Sequence, residues 1–275
     1  MTQIRKQIKK NAKAALCGKW GMASAAVILI VCVIVLVSAI MEFLLIVFGV
    51  NIFNRDFMKL EDVLGGLVNS DPTALIIIAG CLVLDIILLV PLWTGLKRLC
   101  CNAAAGNETR FPDIFSIKWF SSIRLFFAVF IRFVLAAAVF SVPSAMLFLL
   151  PSRIGSGRMA GLVPLIYFTA FVLAVFALIL GFVFIKRYFL SMYLASENPD
   201  WKLRRCLKVS AKMMRGRKSG LLNLELSFIP LLLTGVLVVP LIFIIPYIQT
   251  SFAIYAKYII QDYENSETEK QLYER

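Results

Sequence analysis

Four long apolar runs, Met22–Met41, Ala74–Trp93, Leu125–Leu150 and Leu162–Ile185, constrain this chain more than any other feature. Each approaches or exceeds the ~20 residues that a helix needs to cross a hydrocarbon layer of about 30 Å. The rest of the composition agrees. Charged residues make up 16% of the chain and mean hydropathy is +0.86, where a soluble domain carries roughly 25% charged residues. Such a chain calls for lipid as its solvent. A fifth apolar region, Leu221–Ile260, is too long for one span and is punctuated by Pro230, Gly235, Pro240 and Pro246. Its reading is a hairpin of two helices, which gives about six spans; a single span there would give five. The expected fold is an all-α, polytopic transmembrane helical bundle with basic amphipathic interfacial helices. Residues 1–262 form one integral membrane domain and 263–275 an acidic cytoplasmic tail.

A cleavable signal peptide is the rival reading of the first run, because Val37-Ser38-Ala39 is small-residue in character. The basic leader is long, however, and the apolar run continues through Leu44–Val50 after Glu42, so a retained anchor fits better. Lys and Arg set the orientation, since positive loops stay on the cytoplasmic side. With six spans, 24 of the 29 basic residues fall in the segments 1–21, 94–124, 186–223 and 257–275, and the loops 42–73 and 151–161 hold two each. The expectation is a multi-pass protein of the cell membrane with both termini cytoplasmic. All six cysteines, Cys17, Cys32, Cys81, Cys100, Cys101 and Cys206, fall in spans or inner segments. No exoplasmic disulfide framework is indicated, and the adjacent Cys100-Cys101 pair lacks CxxC spacing and reads as small apolar residues.

Positive charge is concentrated at KLRRCLKVSAKMMRGRK, 202–218, with eight basic residues and no acid. Asn198 suits a helix cap, Pro199 the first helical position and Asp200 the first turn. Leu203, Cys206, Leu207, Ser210, Met213 and Met214 then form one stripe, with Lys202, Arg205, Lys208 and Lys212 largely elsewhere. Gly216 is the expected stop. A helix of this kind lies along a membrane with its cations toward anionic headgroups, and its apolar residues are expected to dip into the acyl boundary. The leader repeats the design: Ile4, Ile8, Ala12, Ala15 and Leu16 share helical spacing, Arg5, Lys6, Lys9, Lys10 and Lys13 take other faces, Gly18 ends the helix and Trp20 anchors at the interface. FPDIFSIKWFSSIR, 111–124, is again aromatic, basic and followed by a span. The chain therefore reads as three units, each an interfacial segment followed by a helical hairpin.

Several stretches carry a family resemblance: NAKAALCGKWG, PLWTGLKRLCCNAAAGN, the block YFLSMYLASENPDWKLRRCLKVSAKMMRGRKSGLLNLELSFIPLLLTG, and PYIQTSFAIY. Over nearly the whole chain they resemble a family of bacterial integral membrane proteins known only as a domain of unknown function. PSAMLFLLPSRIGSG departs from the shorter pattern of that family. The order of NPD, basic helix and glycine is more weakly similar to membrane domains attached to some glycerophosphodiester phosphodiesterases. Neither resemblance carries a catalytic residue across.

The chain has no histidine, which removes His-based triads, HExxH zinc sites and haem His ligation. There is no Walker A pattern, and GSGRMAG at 155–161 fits neither GxGxxG nor a strand-to-helix context, so it reads as an outer turn. No cofactor is expected, and no convergent catalytic set points to an enzyme. The basic stretch lies between spans, which makes anionic membrane lipid its expected partner, with a protein partner as a further possibility and nucleic acid excluded. Two charges sit at mid-membrane depth: Asp85, eight residues before Trp93, and Arg132, eleven after Ser121. Intramembrane ionisable groups are costly and mark either function or a packing ion pair; the expectation is an Asp85–Arg132 pair. Glu42 and Glu225 fall near span ends and are expected to reach the interface. The leading functional reading is a non-enzymatic membrane-organising or accessory protein. The alternative is a transporter or channel with a polar path near Asp85 and Arg132.

Overall fold

A computed structural model describes residues 2–48, 72–115, 119–149, 163–198, 201–236 and 238–273. GSGRMAG, Pro199 and Asp200 lie outside the described residues. In chain order the helices are α1 (Thr2–Leu16), α2 (Trp20–Val47), α3 (Pro72–Ala104), α4 (Trp119–Leu149), α5 (Val163–Ile185), α6 (Ser191–Glu197), α7 (Leu203–Met213), α8 (Lys218–Leu226), α9 (Ile229–Leu233) and α10 (Val238–Tyr273). Short 3-10 turns occupy Phe111–Ile114, Lys186–Tyr188 and Thr234–Val236. The described residues contain no strand.

Five helical stretches among the described residues are long and apolar enough to cross a membrane: Trp20–Val47, Ile76–Ala104, Trp119–Phe148, Val163–Glu197 and Val239–Ser266. They leave large apolar side chains uncovered along their length, including Ile76 at 70% and Val139 at 67% exposure. Scattered apolar residues are ordinary on a soluble surface, but continuous apolar helix faces of this extent require a non-aqueous neighbour. The fold is an all-α polytopic transmembrane bundle.

The chain divides into two compact units. One comprises Lys9–Ile123 and Leu231–Ala253. Here α2 packs on α3. Ala23, Ala26, Val27 and Ile30 bury one stripe of α2, and Leu92, Leu96, Leu99, Cys100 and Ala103 bury one stripe of α3, at the spacing that brings residues to a single helix face. α3 runs well past Trp93, because nothing between Trp93 and Gly106 breaks a helix. The chain turns only at Gly106, whose φ of +78° is the left-handed conformation open to glycine. Pro91 lies inside α3. One turn later Thr94 Oγ1 donates to the Val90 and Pro91 carbonyls, at 3.1 and 2.8 Å, and lies 3.1 Å from Ser122 Oγ. The 3-10 turn Phe111–Ile114 seats against α3 at Gly95, where a Cβ would collide with the Ile114 backbone carbonyl. The leader is held as well: Lys13 lies over the Tyr247 ring at 5.9 Å, Lys19 Nζ donates to Asn107 O at 2.6 Å and Trp20 meets Phe243.

The other unit comprises Met1–Ile8, Arg124–Pro230 and Ile254–Arg275. In it α4 and α5 approach closely at small residues, as membrane helices do. Gly181 lies 3.5 Å from the Ala137 backbone, measured from the position its Cβ would take, and Ser144 Oγ donates to Ala170 O at 2.8 Å. Of the hairpin expected at 221–260, only the second arm lies in a long apolar stretch, Val239–Ser266. Arg217 meets Ile259 and Asp262, and Gly220 faces Tyr255; in the first-described unit Gly235 faces the Leu241 side chain.

The first arm of that hairpin differs from a continuous span. Pro230 has no N–H to give to Leu226, whereas the first turn of a new helix needs none, so α8 stops at Leu226 and α9 restarts at Ile229. The expected start of the basic helix also moves. Asn198 closes α6 and its carbonyl accepts from Trp201 N at 3.1 Å, while α7 begins at Leu203 after Lys202. The described part of the expected tail, 263–273, is helical, because α10 continues through Tyr273.

Candidate functional site

The basic helix is where sequence and structure meet most directly. Cys206, Leu207, Ser210, Met213 and Met214 of the expected stripe are buried, and Lys202, Arg205, Lys208 and Lys212 are exposed. What covers the stripe is a correction. Leu207 and Met214 do not dip into an acyl layer, since they are buried within the protein at 3% and 0% exposure. α7 packs on α6 and on the Lys186–Tyr188 turn, with Ser210 Oγ donating to Arg187 O at 3.0 Å. The same burial pushes the Cys206 thiol pKa upward, which makes it an inert packing group. Two of the four cations are steadied by rings: Arg205 lies over Trp201 at 4.3 Å and Lys212 over Tyr263 at 5.3 Å. α7 is a charged ridge seated on α6 and the Lys186–Tyr188 turn.

Gly216 ends α7 with φ +78°, and Arg217 follows it into α8. Arg217 forms an ion pair with Asp262 and donates through Nη1 to Ile259 O at 3.3 Å, while its own carbonyl accepts from Tyr255 Oη at 3.3 Å. A cavity of about 330 Å³ opens beside this knot, lined by Arg5, Arg217, Asp262, Asn223, Tyr255 and Tyr258 together with apolar residues of α1, α8 and α10. A second ion pair joins Lys186 Nζ to Glu225 Oε1 at 2.5 Å, with side chains only 12% and 22% exposed, and the ammonium sits 3.8 Å from the Phe182 ring centre. Glu225 therefore does not reach for an interface, whereas Glu42 is exposed.

The expected intramembrane charges lie in different units, and each has its own surroundings. Arg132 Nη1 donates to Ala128 O at 2.7 Å and the guanidinium lies 5.4 Å from the Tyr188 ring centre. Asp85 Oδ1 is buried and has no hydrogen-bond partner among the described residues. Both ion pairs escaped the reading from sequence, because each joins residues about forty positions apart.

These features define a polytopic helical membrane protein with a basic ridge and a charged cavity. The chain matches the family described as protein of unknown function (DUF975) over residues 1–262, and it belongs to that family. No curated protein and no solved structure matches it.

Proposed function

We propose that this is a non-enzymatic membrane-organising or accessory protein of the cell membrane whose α7 ridge, on the cytoplasmic side with both termini, holds anionic lipid headgroups. The observation that carries this reading is the division of α7: its apolar face is buried by its own protein and its cations are exposed. A free amphipathic helix binds by inserting; a docked one can only attract. Each cation near an anionic surface contributes about 1 kcal/mol, screened over about 10 Å at 0.1 M salt. The full chain in vesicles of defined composition should enrich anionic over zwitterionic lipid around itself. Replacing Lys202, Arg205, Lys208 and Lys212 by Gln should remove that enrichment, and raising salt should mimic the replacement in the unaltered protein. An impermeant amine reagent should reach these lysines only in inside-out vesicles. Enrichment that survives both neutralisation and salt would leave a protein partner as the better occupant of the ridge.

A second reading, a transporter or channel with a polar path near Asp85 and Arg132, is favoured by the buried, unpartnered Oδ1 of Asp85. An ion-coupled path needs such a group, and a packing pair satisfies it. A double-mutant cycle with Asp85→Asn and Arg132→Gln separates the two. Coupling above about 0.5 kcal/mol, the usual limit of additivity for independent sites, marks a structural pair. Additive losses together with Asp85-dependent ion flux mark a path.

A further inference from the structure

We propose that the cavity beside Arg217 is a stoichiometric site for one anionic phospholipid, whose phosphate is held by Arg5 and Arg217 and whose acyl body lies on the apolar wall. It rests on the reading that this chain works on anionic lipid, but it is a different site with a different kind of binding: a seated molecule, where the α7 ridge offers only a field. Three observations carry it.

The first is the lining. Arg5 and Arg217 bring two positive charges against the single carboxylate of Asp262, and Asn223 and the Tyr255 and Tyr258 side chains add neutral polar groups. Ile4, Ile8, Leu224 and Ile259 form the rest of the wall. A few polar groups converging in a mostly apolar concavity is the ordinary makeup of a ligand site, and about 330 Å³ is within the usual range. The lining suits an amphiphile: a soluble anion would leave the isoleucines unused, and a neutral lipid would leave the net positive charge unmet.

The second is the state of Arg217. A guanidinium has five N–H donors in a planar fork, and the bonds to Asp262 and Ile259 occupy part of that capacity. Asp262 thereby aims the fork while its remaining donors stay available, and phosphate is the acceptor such a fork fits best. Among the described residues Arg5 has no ion pair.

The third is that the site is kept open by construction. Gly220 lines it, and a Cβ there would come within 2.5 Å of Tyr255 Oη. The missing side chain lets the tyrosine hydroxyl reach Arg217 O, fixing the backbone that carries the guanidinium. α1 brings Ile4, Arg5 and Ile8 to the lining, so the leader supplies both a charge and apolar surface.

The test is retention of lipid by the full chain in mild detergent, read by native mass spectrometry with phosphatidylglycerol, phosphatidylcholine of the same acyl chains, and inorganic phosphate as probes. One phosphatidylglycerol per chain is expected, at least tenfold favoured over phosphatidylcholine and raising the thermal midpoint of the unaltered protein. Arg5→Gln should reduce that preference about tenfold and Arg5→Lys should keep most of it. The four-fold Gln variant of α7 should still retain its one lipid. Equal retention of both lipids, or unchanged retention in Arg5→Gln, overturns the proposal. Inorganic phosphate giving the same stabilisation overturns the lipid assignment in favour of a small-anion site. Loss of the bound lipid in the α7 variant places the lipid on the ridge and overturns the cavity site. Conversely, a retained lipid together with salt-insensitive vesicle enrichment would sink the ridge reading and leave this one standing.

Discussion

Lys186→Met and Glu225→Leu are each expected to lower the stability of the detergent-solubilised protein by about 3 kcal/mol, whereas the double change Lys186→Met/Glu225→Leu restores most of the loss. The reason lies in the surroundings of the pair. The ammonium and carboxylate lie 2.5 Å apart with little exposure, and Phe182 closes over the ammonium. Two charges in such a place stabilise one another largely by offsetting the cost of leaving water. Removing one therefore leaves the other uncompensated, at a loss of about 3–5 kcal/mol in soluble proteins. Both side chains keep some exposure to their surroundings, which puts the expectation at the lower end of that range. Removing both takes away the desolvation cost together with the attraction. Unfolding midpoints in a denaturing-detergent titration provide the measurement, and strictly additive losses would show that the pair contributes nothing as a pair. Because Lys186 opens the 3-10 turn that directly follows α5 and Glu225 lies in α8, the pair joins the end of a spanning helix to the element that follows the basic ridge. Its loss should therefore also loosen α7, detectable as faster amide exchange at Leu207 and Met214.

The contrast between what was legible and what was not follows from the range of the interactions. Spans were legible because hydrocarbon thickness sets a length and apolar side chains announce it, and Gly18 and Gly216 were legible stops because a left-handed turn favours glycine. The α7 stripe was read correctly from residues three and four apart. Its covering was not, because a bilayer and a protein interior are both apolar and periodicity cannot tell them apart. The start of α7 at Leu203 was missed because Asn198-Pro199-Asp200 has the residue types of a cap, while Asn198 closes the helix before it. The broken arm could have been foreseen from Pro230 alone. The ion pairs could not: Lys186–Glu225 and Arg217–Asp262 are 39 and 45 residues apart, and only the tertiary fold decides which of 29 basic residues meets which acid.

Two glycines of one helix are expected to respond to the same substitution with opposite sign. Gly80 and Gly95 both lie in α3. Nothing stands within 4 Å of the position a Cβ would take at Gly80, so Gly80→Ala should gain the helix preference of alanine over glycine and stabilise by up to about 1 kcal/mol. At Gly95 the same methyl group would run into the backbone carbonyl of Ile114, with the Ile114 side chain 2.8 Å away. A flexible side-chain end could swing aside, but a backbone carbonyl in a 3-10 turn cannot do so without dismantling the turn. The turn is itself pinned, with Arg110 N donating to Asp113 Oδ2 at 3.0 Å and Ile114 buried. Overpacking of this kind costs about 1–3 kcal/mol, which exceeds the propensity gain, so Gly95→Ala should be net destabilising. It should also release Phe111–Ile114 from α3, and with it the aromatic segment that leads into α4. Midpoints for the two variants in one detergent, set beside protease susceptibility at 110–115, provide the check. A stabilised Gly95→Ala would mean that the turn does not rest on α3, and the close approach that this glycine permits would lose its role in seating the segment between the two spans.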